Sequence, residues 1–209
     1  MINFSNNKPV VCVQGLGFVG SAMSTAVAMA NNSEGEPIFN VIGIDLNNIT
    51  GIKRVKNINS GCFPFETTDN VLVDSLKRCV LNGNLKATHD EDCYTVADVI
   101  VVDVHLDIPF KDDEPDLNFS GLINAITSIT TRAKAGALII VETTVPPGTC
   151  EKIVIPTVNQ ILKDRGMPED SIYIAHSYER VMPGKDYLSS IVNFWRVFAG
   201  KNKESGDKC

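Results

Sequence analysis
Several features are missing from this sequence, and each absence narrows the function. No apolar run approaches the roughly 18 residues of a membrane span. The opening stretch, MINFSNNKP, has no basic region followed by an apolar one, so no secretory signal peptide is expected. Basic residues are not in excess. Lys and Arg number 19 against 25 Asp and Glu, a formal net charge of −6. That argues against a nucleic-acid surface, which needs a basic stripe, while a local basic patch stays compatible with it. The six cysteines, Cys12, Cys62, Cys79, Cys93, Cys150 and Cys209, contain no C-x-x-C and follow no regular spacing. Neither a metal site nor a disulfide framework is therefore expected, and reduced thiols fit a cytoplasmic protein. There is no internal repeat and no low-complexity tract. Asn48 and Asn118 begin N-x-[ST] matches, which mean little without secretion.

What is present alternates. Short apolar runs at 10–14, 41–45, 98–104, 137–142, 171–175 and 194–199 read as strands, with a shorter one at 85–87. Helical spacing is expected over Ser21–Ala30, Asn47–Asn59, a segment capped by Thr68 or Asp69 and stopped at Gly83, and one carrying Phe119, Leu122, Ile126 and Ile129. A last helix carries Ile153, Val158 and Leu162, with Pro156 as its kink. Alternation of this kind predicts an α/β fold, a doubly wound and mostly parallel Rossmann-like sheet. Ligands of such sheets lie beyond the carboxyl ends of the strands.

After the first strand, Gly15-Leu16-Gly17-Phe18-Val19-Gly20 fits G-x-G-x-x-G. The first glycine permits the turn, the second lets backbone approach a pyrophosphate, and the third lets the helix lie close. The helix N-terminus supplies free N–H groups and partial positive charge. Asp45 ends the second strand, where a carboxylate accepts hydrogen bonds from a ribose diol and repels a 2′-phosphate. NAD is thus expected rather than NADP; the other reading of Asp45 is a cap on the following helix. After the fifth strand comes VETTVPPGT (141–149). It reads either as a rigid turn with Thr149 as helix cap, or as a loop that brings Thr144 beside the reactive end of the cofactor.

GLGFVG, GID, PDLN (115–118), ETTVPPGT, ERVMPG (179–184) and RVFAG (196–200) occur in this order. Together they resemble the UDP-glucose/GDP-mannose dehydrogenase family of nucleotide-sugar dehydrogenases over almost the whole chain. ERVMPG is similar to the branch that oxidises UDP-N-acetylhexosamines such as UDP-N-acetylmannosamine. The resemblance implies oxidation of the C6 alcohol of a UDP-sugar to the carboxylate with two NAD⁺ in succession, by way of a cysteine-bound intermediate. It implies a cytoplasmic homo-oligomer serving polysaccharide biosynthesis. By motif, Gly15, Gly17, Phe18, Val19, Gly20, Asp45, Val104, Thr143 and Thr144 are expected at the cofactor. Thr144 and Glu179 are expected at the reacting centre, Thr144 ordering water and Glu179 as general base or water-activating group. Glu179 can also be read as a surface ion-pair partner of Arg180 or Lys185. Arg196 is either structural or a contact to cofactor or sugar phosphate.

The chain departs from the family in its loop after the fourth strand, DVHLDIP (103–109), where His105 and Asp107 replace residues lining the cofactor. Tyr178 stands where a proline usually precedes the glutamate. Cys62, in SGCFPFE (60–66), lies outside the family's nucleophile segment and is read as a coincidence. Cys150 opens a helix and is expected to be somewhat acidified. The expected division is an NAD-binding domain over 1–200 and the start of a connecting region over 201–209, the family's helical and sugar-nucleotide domains not being represented. The competing readings are a non-catalytic dinucleotide-binding module, a 3-hydroxyacid or 6-phosphogluconate-type dehydrogenase, and a methyltransferase.

Overall fold
The computed structural model describes residues 2, 4, 6–106, 109–111, 114–115, 118–180 and 182–209. Five parallel strands that carry the ligand-facing loops, and one helix between the first two, set the frame. These are β1 (Val10–Gln14), α1 (Phe18–Ala28), β2 (Asn40–Ile44), β3 (Leu85–Thr88), β4 (Val99–Val102) and β7 (Leu138–Val141). Between them lie α2 (Ile49–Asn59), α3 (Asn70–Leu81), the two-residue strands β5 (Phe110–Lys111) and β6 (Glu114–Pro115), and α4 (Ser120–Arg132). The chain then runs through α5 (Ile155–Asp164), β8 (Tyr173–His176), α6 (Tyr187–Asn193), β9 (Ala199–Gly200) and α7 (Lys203–Lys208).

The main sheet has seven strands in the order β3-β2-β1-β4-β7-β8-β9. All neighbours are parallel except β8 and β9, which pair antiparallel. The chain reverses direction across the sheet between β1 and β4, the crevice where open α/β sheets bind ligands. Strand residues alternate between two cores. Cys12, Ile42, Ile100, Ile139 and Ile174 face α4 and α5. Val11, Val13, Val41 and Leu85 face α1, α3 and α6. Because both faces are covered, the strands read as continuous apolar runs rather than alternating ones.

Local chemistry explains the helix starts. Asn48 caps α2 by accepting the Gly51 N–H at 2.9 Å, so Asp45 is not the cap. Asp69 caps α3 by accepting from Leu72 at 2.9 Å, and its second oxygen accepts the Leu188 N–H at 2.8 Å, which ties α6 to α3. Helix α1 starts three residues earlier than the spacing suggests, because Gly20 lies within the helix and not ahead of it. The break near Pro156 takes the form of a π-helical turn over Cys150–Val154 that passes into α5.

The expected strand over 194–199 is corrected by the fold. Only Ala199 and Gly200 join the sheet, opposite His176 and Ala175. A strand forms only where an edge is there to receive it, and the edge of β8 takes two residues. Phe194, Trp195, Val197 and Phe198 stay exposed. The 3₁₀ turn Glu91–Thr95 and helices α6 and α7 had no counterpart in the sequence reading.

Candidate dinucleotide site
The strand ends bring the glycine turn, Asp45, Val104 and the Thr143–Thr144 loop onto the same edge of the sheet. Gly15 has φ +97°, open to glycine at little cost, and its N–H donates to the Ile44 carbonyl at 2.8 Å. A methyl group at Gly20 would lie 1.8 Å from the Gly15 carbonyl oxygen, so only glycine lets α1 approach the turn. A methyl group at Gly17 would meet nothing within 4 Å. The open space lies at the helix N-terminus, where Gly17 is the cap residue without a side chain and the first turn carries no acidic group. The first N–H groups of a helix have no intrahelical acceptor, and among the described residues no side chain caps them here. This cradle fits a pyrophosphate. Phe18, the first helical residue, is held by edge contacts to Phe63 and Tyr187, with ring centroids 5.3 and 5.0 Å away. Val19, beside it, is half-buried.

Asp45 is 8% exposed. One oxygen accepts from Leu46 N–H at 2.8 Å and the other from Arg54 at 3.2 Å. The Arg54 guanidinium in turn lies over the Phe65 ring, 5.3 Å from its centroid. Beside this carboxylate is a cavity of about 300 Å³ lined by Gln14, Asp45, Leu46, His89, Asp90 and Arg132. His89 Nδ1 lies 3.1 Å from the Asp45 carbonyl, joining the ends of β2 and β3. Neither Arg54 nor this cavity was named from the sequence. Arg54 stands nine residues after Asp45, and only the path of α2 returns it to the carboxylate.

On the other side of the crevice, the Thr143 hydroxyl is 3.1 Å from the Val102 carbonyl and 2.9 Å from that of Val104. It stitches β7 to the end of β4 and is committed to backbone. Thr144, one residue on, is exposed above the sheet. Thr149 does not cap by its side chain; its hydroxyl donates to Pro146 at 2.7 Å. Arg196 forms an ion pair with the buried Glu142 at the end of β7. Glu179 is half-buried beyond β8, and its charge is among those felt by Asp103 and Tyr187. Tyr178 stacks on His176 with centroids 5.8 Å apart.

His105 is exposed. Cys62 is exposed beyond α2, its thiol directed at the Ser60 carbonyl. The expected acidification of Cys150 is overturned: burial pushes its thiol up, because a thiolate loses hydration there. Asp107, Asp116 and Leu117 of the expected motifs, and Val181, lie outside the described residues. Among the described residues no group of His, Cys, Asp or Glu is arranged to hold a metal ion. No helix among them is long and apolar enough to cross a membrane.

The sequence profile of the UDP-glucose/GDP-mannose dehydrogenase family, NAD binding domain, matches residues 9–208. UDP-N-acetyl-D-mannosamine dehydrogenase of Methanocaldococcus jannaschii is 34% identical over 197 residues, spanning 94% of this chain and 40% of that protein. The enzyme of the same name from Escherichia coli K12 is 31% identical, over 91% of this chain and 41% of its own length. Among solved structures, NDP-N-acetyl-D-galactosaminuronic acid dehydrogenase from Methanosarcina mazei Go1 superposes with a TM-score of 0.82 at 27% identity, covering 96% of this chain and 40% of that one. The chain spans about 40% of the length of the curated relatives it matches.

Proposed function
Since the chain belongs to the UDP-glucose/GDP-mannose dehydrogenase family through its NAD-binding domain, we propose that it is the cofactor-binding part of an NAD-dependent nucleotide-sugar 6-dehydrogenase. The substrate class is a UDP-N-acetylhexosamine such as UDP-N-acetylmannosamine, a reading supported by ERVMPG and by the names of its relatives. The observation that carries the cofactor reading is the open space at Gly17, framed by the tight Gly15 and Gly20 contacts and followed by Asp45 at the next strand end.

In this reading the N–H groups at the start of α1, around Phe18, Val19 and Gly20, hold the pyrophosphate. Asp45 accepts hydrogen bonds from the adenosine ribose, and the cavity beside it takes the adenine. Val104 and Thr143 line the path toward Thr144 at the reactive end. Bound NAD supplies the hydride acceptor. Glu179 takes the proton that the sugar hydroxyl must lose, with Thr144 fixing a water by its exposed hydroxyl. A half-buried carboxylate beyond β8 is of the type that accepts such a proton. The covalent step falls, in this proposal, to the portion of the relatives that this chain does not span. Residues 1–200 form the cofactor unit and 201–209 lead into the connecting region. The whole protein acts as a cytoplasmic homo-oligomer in polysaccharide biosynthesis.

Titration calorimetry tests the reading. The chain should bind NAD⁺, bind NADP⁺ at least tenfold more weakly, and not bind S-adenosylmethionine. A folded chain that binds S-adenosylmethionine, or neither dinucleotide, overturns it.

A further inference from the structure
Beneath the crevice lies a set of buried polar atoms that the dinucleotide reading does not use. Asp103 Oδ2, Glu142 Oε2, Tyr187 OH and Arg196 Nη2 are sealed from solvent without a hydrogen-bond partner among the described residues. Asp103 is part-exposed as a residue, but this oxygen is not. Asp103 and Glu142 follow directly on Val102 and Val141, which pair in register across the parallel strands β4 and β7, so the two carboxyl groups leave adjacent strands side by side and act on each other. An ionised carboxylate only accepts, so two ionised ones facing each other cannot bond. The single guanidinium of Arg196, paired to Glu142 Oε1, offsets one of their two charges.

Every charged or titratable group facing Asp103 bears on this. Burial raises its carboxyl most, then the Glu142 charge and hydrogen bond; Arg196 acts in the opposite direction and Glu179 adds to the rise. Tyr187, from α6, is also raised, by burial and then by Glu179, Asp103 and Glu142, and remains a neutral phenol. Like charges at contact distance do not both ionise, and one proton satisfies both orphan oxygens.

We propose that Asp103 and Glu142 share one proton and, with Arg196, form a carboxyl clamp that positions the glycine turn and the Thr143–Thr144 loop. The connection is direct. The Asp103 N–H donates to Gln14 at 2.8 Å, and its carbonyl would lie 2.4 Å from a Cβ at Gly15. Its Cβ would lie 3.2 Å from one at Gly20, and the Glu142 N–H donates to Val102 at 3.0 Å. Asp103 is thus a positioning residue, and its effect on nucleotide rests on the dinucleotide reading above.

The sign follows from linkage. The folded pair holds its proton beyond the pH at which an unfolded aspartate loses its own, about 3.9. The clamp's contribution is complete below that pH and is lost as pH rises toward and through the folded value.

The test compares wild type with Asp103→Asn and Asp103→Ala by urea unfolding across pH 4 to 9, and by NAD⁺ titration over the same range. The Asn amide donates to Glu142 in place of the shared proton. The wild-type folding constant should therefore fall relative to that of D103N, by up to tenfold per pH unit above pH 4. D103N should be the more stable at pH 7 and D103A the least stable. NAD⁺ affinity of wild type should hold while the folded pair keeps its proton and weaken once pH passes the folded value, and that of D103N should stay level throughout. Parallel stability curves for wild type and D103N, or D103N as unstable as D103A, overturn the clamp. If the stability curves diverge as expected but no variant binds NAD⁺, the dinucleotide reading fails and the shared proton stands.

Discussion

Gly17 and Gly20 stand three residues apart in one motif, yet substitution should affect them in opposite ways. In Gly20→Ala the new methyl carbon would lie 1.8 Å from the Gly15 carbonyl oxygen and 3.2 Å from Asp103 Cβ. Close carbon–oxygen contacts begin at about 3.3 Å, so α1 and the turn must separate by about 1.5 Å. The obstacle is backbone, which cannot rotate away as a side chain does. The cost belongs at the upper end of the overpacking range, about 3 kcal/mol. For a chain of this size that lowers Tm by roughly 6–12 °C. In Gly17→Ala nothing lies within 4 Å of the added carbon, and φ −61° with ψ −172° is a conformation alanine adopts. Loss of a glycine cap costs up to about 1 kcal/mol, and the stiffer unfolded chain returns about 0.4–1 kcal/mol of it. The variant should unfold near the wild-type temperature. Its methyl, however, fills the space that the pyrophosphate would enter. NAD⁺ affinity should drop at least tenfold, about 1.4 kcal/mol. Differential scanning fluorimetry and calorimetric titration on the two variants separate the effects. If G17A binds NAD⁺ like wild type, the cradle is not where the phosphates rest. If G17A melts as early as G20A, the packing argument is wrong.

Asp45→Ala should weaken NAD⁺ binding by about 1–3 kcal/mol, the scale of hydrogen bonds to a charged acceptor; unchanged affinity by calorimetry would remove Asp45 from the ribose. Asp69→Ala removes both the α3 cap and the bond to Leu188, a loss of about 2–4 kcal/mol in urea unfolding with NAD⁺ affinity nearly preserved. A loss under 1 kcal/mol would mean that α6 is held by other contacts.

Much of this protein was readable from the order of its residues. The apolar runs place β1, β2, β3, β4, β7 and β8 to within a few residues, because strands buried on both faces need unbroken apolar stretches. Asp69 could be named as a cap, and the glycine spacing could be tied to its three tasks, because a cap or a turn is decided by neighbours within a few positions. The strand expected at 194–199 failed for the opposite reason: pairing depends on which edge is offered, and β8 offered room for two residues. Cys150 failed because its position at a helix start is local, whereas the burial that raises its thiol comes from the packing around it.

The sequence by itself determined the strand-and-helix order, the glycine turn and the carboxylate at the second strand end, since each depends on short-range sterics and hydrogen bonding. Tertiary structure alone decided that Arg54 reaches Asp45, that Arg196 meets Glu142 from 54 positions away, and that Asp103 faces Glu142 beneath the crevice. The rise of the Asp103 carboxyl comes from desolvation and from partners distant in the chain, and the linear order of residues carries no measure of either.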